Sequence, residues 1–102
     1  MPEQYYTLAP WRVREGKQDE FVEAWRDLGE VFLALPKPPG KGTLLQSVDD
    51  PQQFYSFGPW NALEDIAEMR SNQRAAEALE RLRDLCESAK PGAFRLVLTL
   101  GE

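Results

Sequence analysis

The sequence predicts an α+β fold in which helices cover one face of a four-stranded sheet. Three observations predict it: short segments of alternating side chains, two regions with apolar residues every three or four positions, and Pro/Gly-rich breaks between them. In chain order the elements are β-α-β-β-α-β, the ferredoxin-like arrangement. The 102 residues, 42% of them hydrophobic, fit a single domain spanning residues 1–102.

The first strand and the first helix are the most regular of these elements. Side chains alternate over Tyr5–Val13, and Pro10 predicts a bulge or a break in pairing because proline has no N–H to donate. A helix is predicted to start at Gly16 and to end in the Pro/Gly segment at residues 36–40. Its apolar face consists of Phe21, Trp25, Leu28, Phe32 and Leu35.

The middle of the chain predicts a hairpin that leads to a tryptophan. Strands over residues 42–48 and 53–59 flank an Asp-Asp-Pro turn. Trp60 then lies between the second strand and the next helix, where it is either a core anchor or the wall of a pocket. Ser56 is predicted to point to the same face of the strand as Trp60 and has a small side chain. This favours an open space beside the indole.

Two helical segments and a strand complete the predicted fold. Asn61 can accept from a first-turn N–H, and Glu64 lies at capping-box spacing, so a short helix is predicted there. A longer helix is predicted from Ser71, with Cys86 on its apolar face as an inert, buried thiol. Residues 93–100 alternate regularly and predict the last strand.

Charge and composition exclude several classes of function. The net charge is −5, from 17 acidic and 12 basic residues with no basic stripe, so we expect no nucleic-acid or membrane partner. The absence of histidine excludes Ser-His-Asp and Cys-His nucleophiles and His-ligated metals or haem. The longest apolar run, residues 31–35, is too short for a membrane span or a signal peptide. We therefore expect a cytoplasmic protein without metal or cofactor.

The third predicted strand is apolar on both of its faces. Phe54 and Trp60 have one parity, and Tyr55, Phe57 and Pro59 have the other. The helices can cover only one face of the sheet, and the chain contains no further layer. We therefore expect a second copy to cover the other face, in a homodimer packed sheet against sheet.

A series of short motifs runs through nearly the whole chain. It consists of Trp11-Arg-Val-Arg-Glu-Gly16, Phe21 and Trp25, the Pro/Gly loop, and Ser56-Phe57-Gly58-Pro59-Trp60 followed by Leu63, Glu64 and Ile66. This series resembles the antibiotic biosynthesis monooxygenase domain family, whose members are dimeric α/β barrels formed by two ferredoxin-like chains. The resemblance implies the same architecture for this chain.

The family contains enzymes of more than one activity. Some members oxidise polycyclic phenols to quinones without a cofactor, others degrade haem, and many have no settled role. The pocket-lining tryptophan of characterised members corresponds to Trp60. The haem-degrading branch has an asparagine where this chain has Ala9, and its haem-ligating histidine falls near Met69 and Arg70. Both departures argue against haem degradation.

The resemblance implies a cofactor-independent monooxygenase acting on a small, electron-rich, phenol-type aromatic. The catalytic candidates are Trp60, Arg70 and Arg95, because a guanidinium near the pocket would favour a bound phenolate by lowering the pKa of the phenol. The substrate-binding candidates are Trp60, Asn61, Tyr55, Ser56 and Trp25.

Other interpretations of the same residues remain open. Trp25 and Tyr55 also suit a core, Arg70 suits the negative end of its own helix, and Arg95 suits a carboxylate across a dimer. The alternative function is therefore a non-catalytic protein on the same scaffold, either a small-ligand-binding dimer or a structural dimer whose pocket is filled by side chains.

Overall fold

The computed structural model describes residues 4–101 and confirms the α+β, ferredoxin-like prediction. Its elements are β1 Tyr5–Val13, α1 Gln18–Leu33, β2 Thr43–Gln46, β3 Gln53–Trp60, α2 Leu63–Ser71, α3 Gln73–Asp84, β4 Cys86–Ala89 and β5 Gly92–Arg95. The strands form one antiparallel sheet in the order β2-β3-β1-β4, and β5 also pairs with β1. No helix within the described range is long and apolar enough to cross a membrane.

The longest pairing in the sheet joins β1 to β3 and determines which side chains meet the helices. The opposed pairs on the helix-covered face are Tyr5–Trp60, Thr7–Gly58, Ala9–Ser56 and Trp11–Phe54. Successive side chains of a strand point to opposite faces, so the intervening residues lie on the other face. The indoles of Trp11 and Trp60 therefore both lie under the helices, at opposite ends of the shared register.

The core between the sheet and the helices consists of two buried clusters. The larger one, where Trp11 packs 5.5 Å from Phe21 between ring centroids, comprises Ala9, Trp11, Val13, Phe21, Ala24, Leu28, Phe54, Leu82 and Cys86. The smaller one comprises Trp60, Ile66, Met69 and Ala75. Phe32 of α1 and Leu79 of α3 pack against both clusters and join them.

The edge strand formed by β4 and β5 is one strand interrupted in its middle. The two segments pair with successive parts of β1 in one register as far as Arg12, after which the register shifts and Val13 lies opposite Cys86. Pro10 of β1 and Pro91, between the two segments, both lack an N–H, so the ladder fails where they approach each other. The N–H of Lys90 still donates to the carbonyl of Pro10, at 3.4 Å. The predicted break at Pro10 is confirmed, but it affects this edge and not the pairing with β3.

The helix predicted to begin at Ser71 is shorter than expected. Asn72 caps α3 by accepting the N–H of Ala75 at 3.0 Å, and the helix ends at Asp84. Cys86 is therefore the first residue of β4 and not part of a helix face, although it is buried as expected. Burial raises the pKa of its thiol to about 11, so the thiol is protonated at neutral pH.

The capping role expected of Asn61 is wrong. α2 begins after Ala62, no side chain caps it, and Asn61 is exposed. The capping box with Glu64 consequently does not form. The extended backbone of Ala62 lengthens the turn after β3 by one residue, which moves Asn61 away from the free N–H groups of the first turn.

The strand predicted over residues 93–100 is also shorter, because it runs past the end of its partner. Arg95 lies opposite Tyr5, the first residue of β1. One further hydrogen bond follows, from the N–H of Leu96 to the carbonyl of Gln4 at 2.8 Å. Residues 96–101 form no strand within this chain, and their apolar side chains are exposed.

The sheet face away from the helices is apolar and uncovered by this chain. Its large exposed side chains include Leu8 of β1, Leu45 of β2, Tyr55 of β3 and Phe94 of β5. Tyr55 is 47% exposed and Phe94 is 53% exposed. This face has the apolar character expected from the parity of the third predicted strand.

Candidate functional site

A cavity of about 1020 Å³ lies between the helix-covered face of the sheet, α1, α3 and the loop that connects α1 to β2. Its volume is slightly above the range of about 300–1,000 Å³ that is usual for small-molecule sites. Residues from β1, β3 and all three helices line it. The cavity is the candidate functional site.

Small side chains on two paired strands create this space. Thr7 and Ala9 of β1 lie opposite Gly58 and Ser56 of β3, and all four line the cavity. We call the surface formed by these four residues the floor of the cavity. Large residues bound the floor at both ends, because the next pair on this face in each direction contains a tryptophan. The helix-covered surface of the sheet is therefore recessed between the two tryptophans.

Trp60 is both a core residue and a cavity wall. Its side chain is only 2% exposed, and its ring meets that of Phe32 edge to face with centroids 5.5 Å apart. It also lines the cavity beside Ser56 and Gly58. The two interpretations that the sequence left open for this tryptophan are therefore compatible.

Each tryptophan that bounds the floor donates a hydrogen bond to a hydroxyl on it. The indole N–H of Trp11 donates to Oγ of Ser56 at 2.8 Å, and that of Trp60 donates to Oγ1 of Thr7 at 2.9 Å. A hydroxyl that accepts one bond still has its own proton to donate. The floor therefore contains two hydroxyls, each of which keeps a proton that it can donate.

The loop after α1 closes the cavity on one side by approaching β3 closely. The N–H of Gly40 donates to the carbonyl of Pro59 at 2.9 Å. A Cβ at Gly42 would lie 3.3 Å from the ring of Trp25, and one at Gly58 would lie 3.3 Å from the Cα of Gly42. The two glycines thus allow the loop to lie directly against the strand, with Trp25 above it.

Four of the seven residues predicted for the site line the cavity. They are Trp25, Ser56, Trp60 and Arg70. Trp25 is half-buried in the wall, Ser56 is buried in the floor, and Arg70 is exposed in the last turn of α2. The structure therefore brings the predicted aromatic, hydroxyl and cationic groups to one place.

The other three predicted residues do not line the cavity. Tyr55 is on the opposite face of the sheet, because it is one residue away from Ser56 in a strand of period two. Asn61 lies in the exposed turn after β3, and Arg95 is exposed at the end of β5. None of the three is part of the cavity that this chain forms.

Most of the residues that line the cavity were not identified as site residues from the sequence, among them Thr7, Trp11 and Arg83. Thr7 and Trp11 belong to the alternating pattern of β1, and Trp11 is also part of the larger core cluster. Arg83 lies on the exposed side of α3 and reaches the cavity only through the packing of that helix. In residues 4–101, no group of three carboxylate or thiol side chains is arranged to hold a metal ion.

Replacing Ser56 with alanine tests the buried hydrogen bond of the floor. The substitution leaves the indole N–H of Trp11 without its acceptor, so we expect the free energy of unfolding to fall by about 1–3 kcal/mol. Chemical denaturation measures this loss. Ser88→Ala, at an exposed position of β4, is the control and should change stability by less than about 0.5 kcal/mol. Equal stabilities of the two variants would show that the bond contributes nothing.

The sequence matches no protein-family model and no curated protein. Its structure is similar to several solved structures. SnoaB, a cofactor-independent oxygenase from Streptomyces nogalater, superposes with a TM-score of 0.86 and 19% identity over 98% of this chain and 99% of that one. A candidate antibiotic biosynthesis monooxygenase from Nitrosomonas europaea superposes with a TM-score of 0.80 and 22% identity over 99% of this chain and 97% of that one.

A third similar structure is a candidate antibiotic biosynthesis monooxygenase from Bordetella bronchiseptica. Its TM-score is 0.80 at 14% identity, and the match covers 96% of this chain and 99% of the other. All three matches extend over nearly the full length of both chains. The chain therefore has the fold of the antibiotic biosynthesis monooxygenases, as the sequence motifs predicted.

Proposed function

We propose that the protein is a cofactor-independent monooxygenase that acts on a small, electron-rich, phenol-type aromatic. The observation that carries the proposal is the aromatic-walled cavity with two hydroxyl donors in its floor and Arg70 at its wall. The shared fold with SnoaB, itself a cofactor-independent oxygenase, supports the same class of activity. A planar ring suits a space bounded by indole side chains.

The proposed reaction needs no external reductant. A phenol loses its proton, and the electron-rich phenolate transfers electrons to O₂, which then bonds to the ring carbon opposite the phenolate oxygen. One oxygen atom remains as the second quinone oxygen and the other leaves as water. The substrate supplies all four electrons that reduce O₂, and two of its hydrogens end in the water. The protein has only to bind, desolvate and stabilise the anion.

The lining residues match these three tasks. Trp25 and Trp60 provide the apolar walls that contact the ring and exclude water. The hydroxyls of Thr7 and Ser56 are placed to donate to a substrate oxygen. Arg70 supplies the positive charge that favours the phenolate, and it lines the cavity whereas Arg95 does not. Of the two arginines predicted for the electrostatic role, we therefore assign it to Arg70.

Oxygen consumption with a panel of hydroxynaphthalenes and hydroxyanthracenes tests this activity. We expect protein that has been treated with a metal chelator to consume one O₂ for each quinone formed. Arg70→Gln should slow the reaction about tenfold or more, because the anion loses its positive partner. Arg74→Gln, an exposed position that does not line the cavity, is the matched control. If no compound in the panel raises oxygen uptake above that of heat-denatured protein, the monooxygenase proposal is wrong.

The alternative is a non-catalytic protein that binds a small ligand in the same cavity. The observation in its favour is that Glu30, an exposed residue, is the one carboxylate among the described residues of the lining. No buried base is therefore present there to take the phenolic proton. Binding of the aromatic panel without oxygen uptake would identify this function.

We also propose that a second copy of the chain covers the open face of the sheet. The apolar side chains of that face, among them Leu45, Tyr55 and Phe94, need a cover that this chain does not provide. The segment that follows β5 runs past the sheet with Val97 86% exposed and Leu100 84% exposed. Apolar residues alternate along this segment as in a strand, and a single chain provides no strand for it to pair with. The same second copy would provide one.

Light scattering at micromolar concentration measures the assembly. We expect twice the chain mass of 11.7 kDa, because an interface of this kind buries about 2,000 Å² or more. Tyr55→Lys places a charge in the proposed interface and should shift the protein towards monomer. Leu63→Lys, at a similarly exposed position on α2, should remain dimeric. A wild-type protein that is monomeric and well folded at this concentration would contradict the proposal.

A further inference from the structure

A second, smaller pocket is lined by residues of α2 and of the loop that follows α1. We call it the small pocket. Its volume is about 220 Å³. This is below the range of about 300–1,000 Å³ that is usual for small-molecule sites, so the small pocket has room for only a few heavy atoms.

Asp65 of α2 lines the small pocket and is a buried carboxylate without a partner. In the described part of the chain it is the one buried residue that carries a charge, and it is only 6% exposed. Its carboxylate has no hydrogen-bond or ion-pair partner among residues 4–101.

The unpartnered carboxylate of Asp65 opens onto the small pocket. No side-chain oxygen or nitrogen in residues 4–101 is both fully enclosed and without a partner. The carboxylate oxygens of Asp65 therefore keep some contact with the space outside the protein. Asp65 lines the small pocket and does not line the larger cavity.

The helix dipole accounts for a carboxylate in the first turn of α2 but not for its burial. Glu64 and Asp65 both lie in that turn, where negative charge is favourable. Glu64 has this benefit while exposed to water. Burial of a carboxylate without a partner is unfavourable, because the group loses hydration and gains no contact in exchange. Asp65 therefore needs a cation beside it.

Lys37, in the loop after α1, also lines the small pocket but does not neutralise Asp65. It is exposed, and its ammonium lies more than 4.0 Å from every carboxylate of residues 4–101. An ammonium is strongly hydrated, so the water-exposed position is favourable for it. The place beside Asp65 is therefore open to a cation of another molecule.

The rest of the lining suits a short alkylammonium ion. Glu68, one turn after Asp65, adds a second carboxylate. The hydroxyl of Ser71 donates to the carbonyl of Glu68 at 3.0 Å and can still accept a bond from an ammonium N–H. The apolar side chains of the lining, which can contact an alkyl chain, are Leu35, Pro36 and Met69.

The same lining suits a divalent metal ion less well. Calcium takes about six to eight oxygen ligands in proteins. No group of three carboxylate or thiol side chains in the described range is arranged to hold a metal. The apolar part of the lining offers a metal ion no ligand.

We propose that the small pocket binds a primary ammonium ion on a short alkyl chain, with the charged group at Asp65 and Glu68 and the chain against Leu35 and Met69. The inference does not depend on the proposed oxygenation, because neither carboxylate lines the larger cavity. Met69 lines both spaces, so the bound ion lies beside a side chain that also walls the larger cavity.

An NMR titration of the full chain with n-butylammonium chloride tests the inference, with butan-1-ol as the neutral probe of similar shape. We expect n-butylammonium to bind saturably, with a dissociation constant of about 1 mM or lower, and butan-1-ol not to saturate. Asp65→Asn keeps the shape of the side chain and should weaken n-butylammonium binding about tenfold or more.

Glu64→Gln is the matched control, because it removes the same charge from the same helix turn without touching the small pocket. It should change the affinity less than about twofold, as expected for an exposed charge. Lys37→Gln should tighten binding, because it removes a like charge from the lining.

Stability without any ligand provides a second test that does not need the amine. Both Asp65→Asn and Glu64→Gln lose the interaction with the helix dipole, but only the first also removes a buried, unpartnered charge. We therefore expect Asp65→Asn to be at least as stable as Glu64→Gln in chemical denaturation. A less stable Asp65→Asn would show that the chain itself provides a favourable partner, and would overturn the inference.

The titration can overturn the inference in several further ways. They are an equal response to butan-1-ol, no saturation in the wild type, and an equal loss of affinity in Glu64→Gln and Asp65→Asn. A loss in Glu30→Gln with none in Asp65→Asn would place the amine in the larger cavity. Displacement of n-butylammonium by an equal concentration of CaCl₂ would identify a metal site instead.

Discussion

The antiparallel register of β1 with β3 is the constraint on which the rest of the structure depends. It places Thr7 and Ala9 opposite Gly58 and Ser56 on the face that the helices cover. A slip of one residue in either strand would bring its other set of side chains, such as Phe57, under the helices. The cavity floor and the apolar open face are thus two results of one pairing.

The same register lets two buried tryptophans stabilise the core and bound a cavity. The indole N–H of Trp11 bonds to Ser56 and that of Trp60 bonds to Thr7, so neither buried donor is left unsatisfied. Each bond also fixes the hydroxyl oxygen that a ligand would meet. The groups that maintain the tryptophan positions are therefore the groups that orient the polar part of the floor.

Much of this arrangement could be predicted from local sequence patterns. Alternation along β1 and β3 identified the strands, and the small Ser56 beside Trp60 indicated space next to the indole. Two of the predicted site residues lie outside the cavity, for different reasons. Tyr55 was assigned to the site although its parity puts it on the other face, and Arg95 lies at a sheet position that only the pairing with β1 reveals.

The end of the chain shows the same limit of local patterns. The apolar spacing around Cys86 fits both a helix face and a strand, and only the pairing with β1 decides between them. The interruption of the last strand needs Pro10 and Pro91 to approach each other across the sheet. Arg83 lies on one face of α3 with Ala76 and Leu79, which also line the cavity, but only the packing of the helix shows that this face meets the cavity.

The central claim is that the floor between the two tryptophans is a cavity and not a close-packed core. The free energy of unfolding of Ala9→Leu tests it most directly, with Ala24→Leu as the reference for a buried alanine outside the cavity. If the space is real, the leucine enters it, and Ala9→Leu should lose less than about 1 kcal/mol, whereas Ala24→Leu should lose about 1–3 kcal/mol through overpacking. An equal loss in both variants would contradict the account.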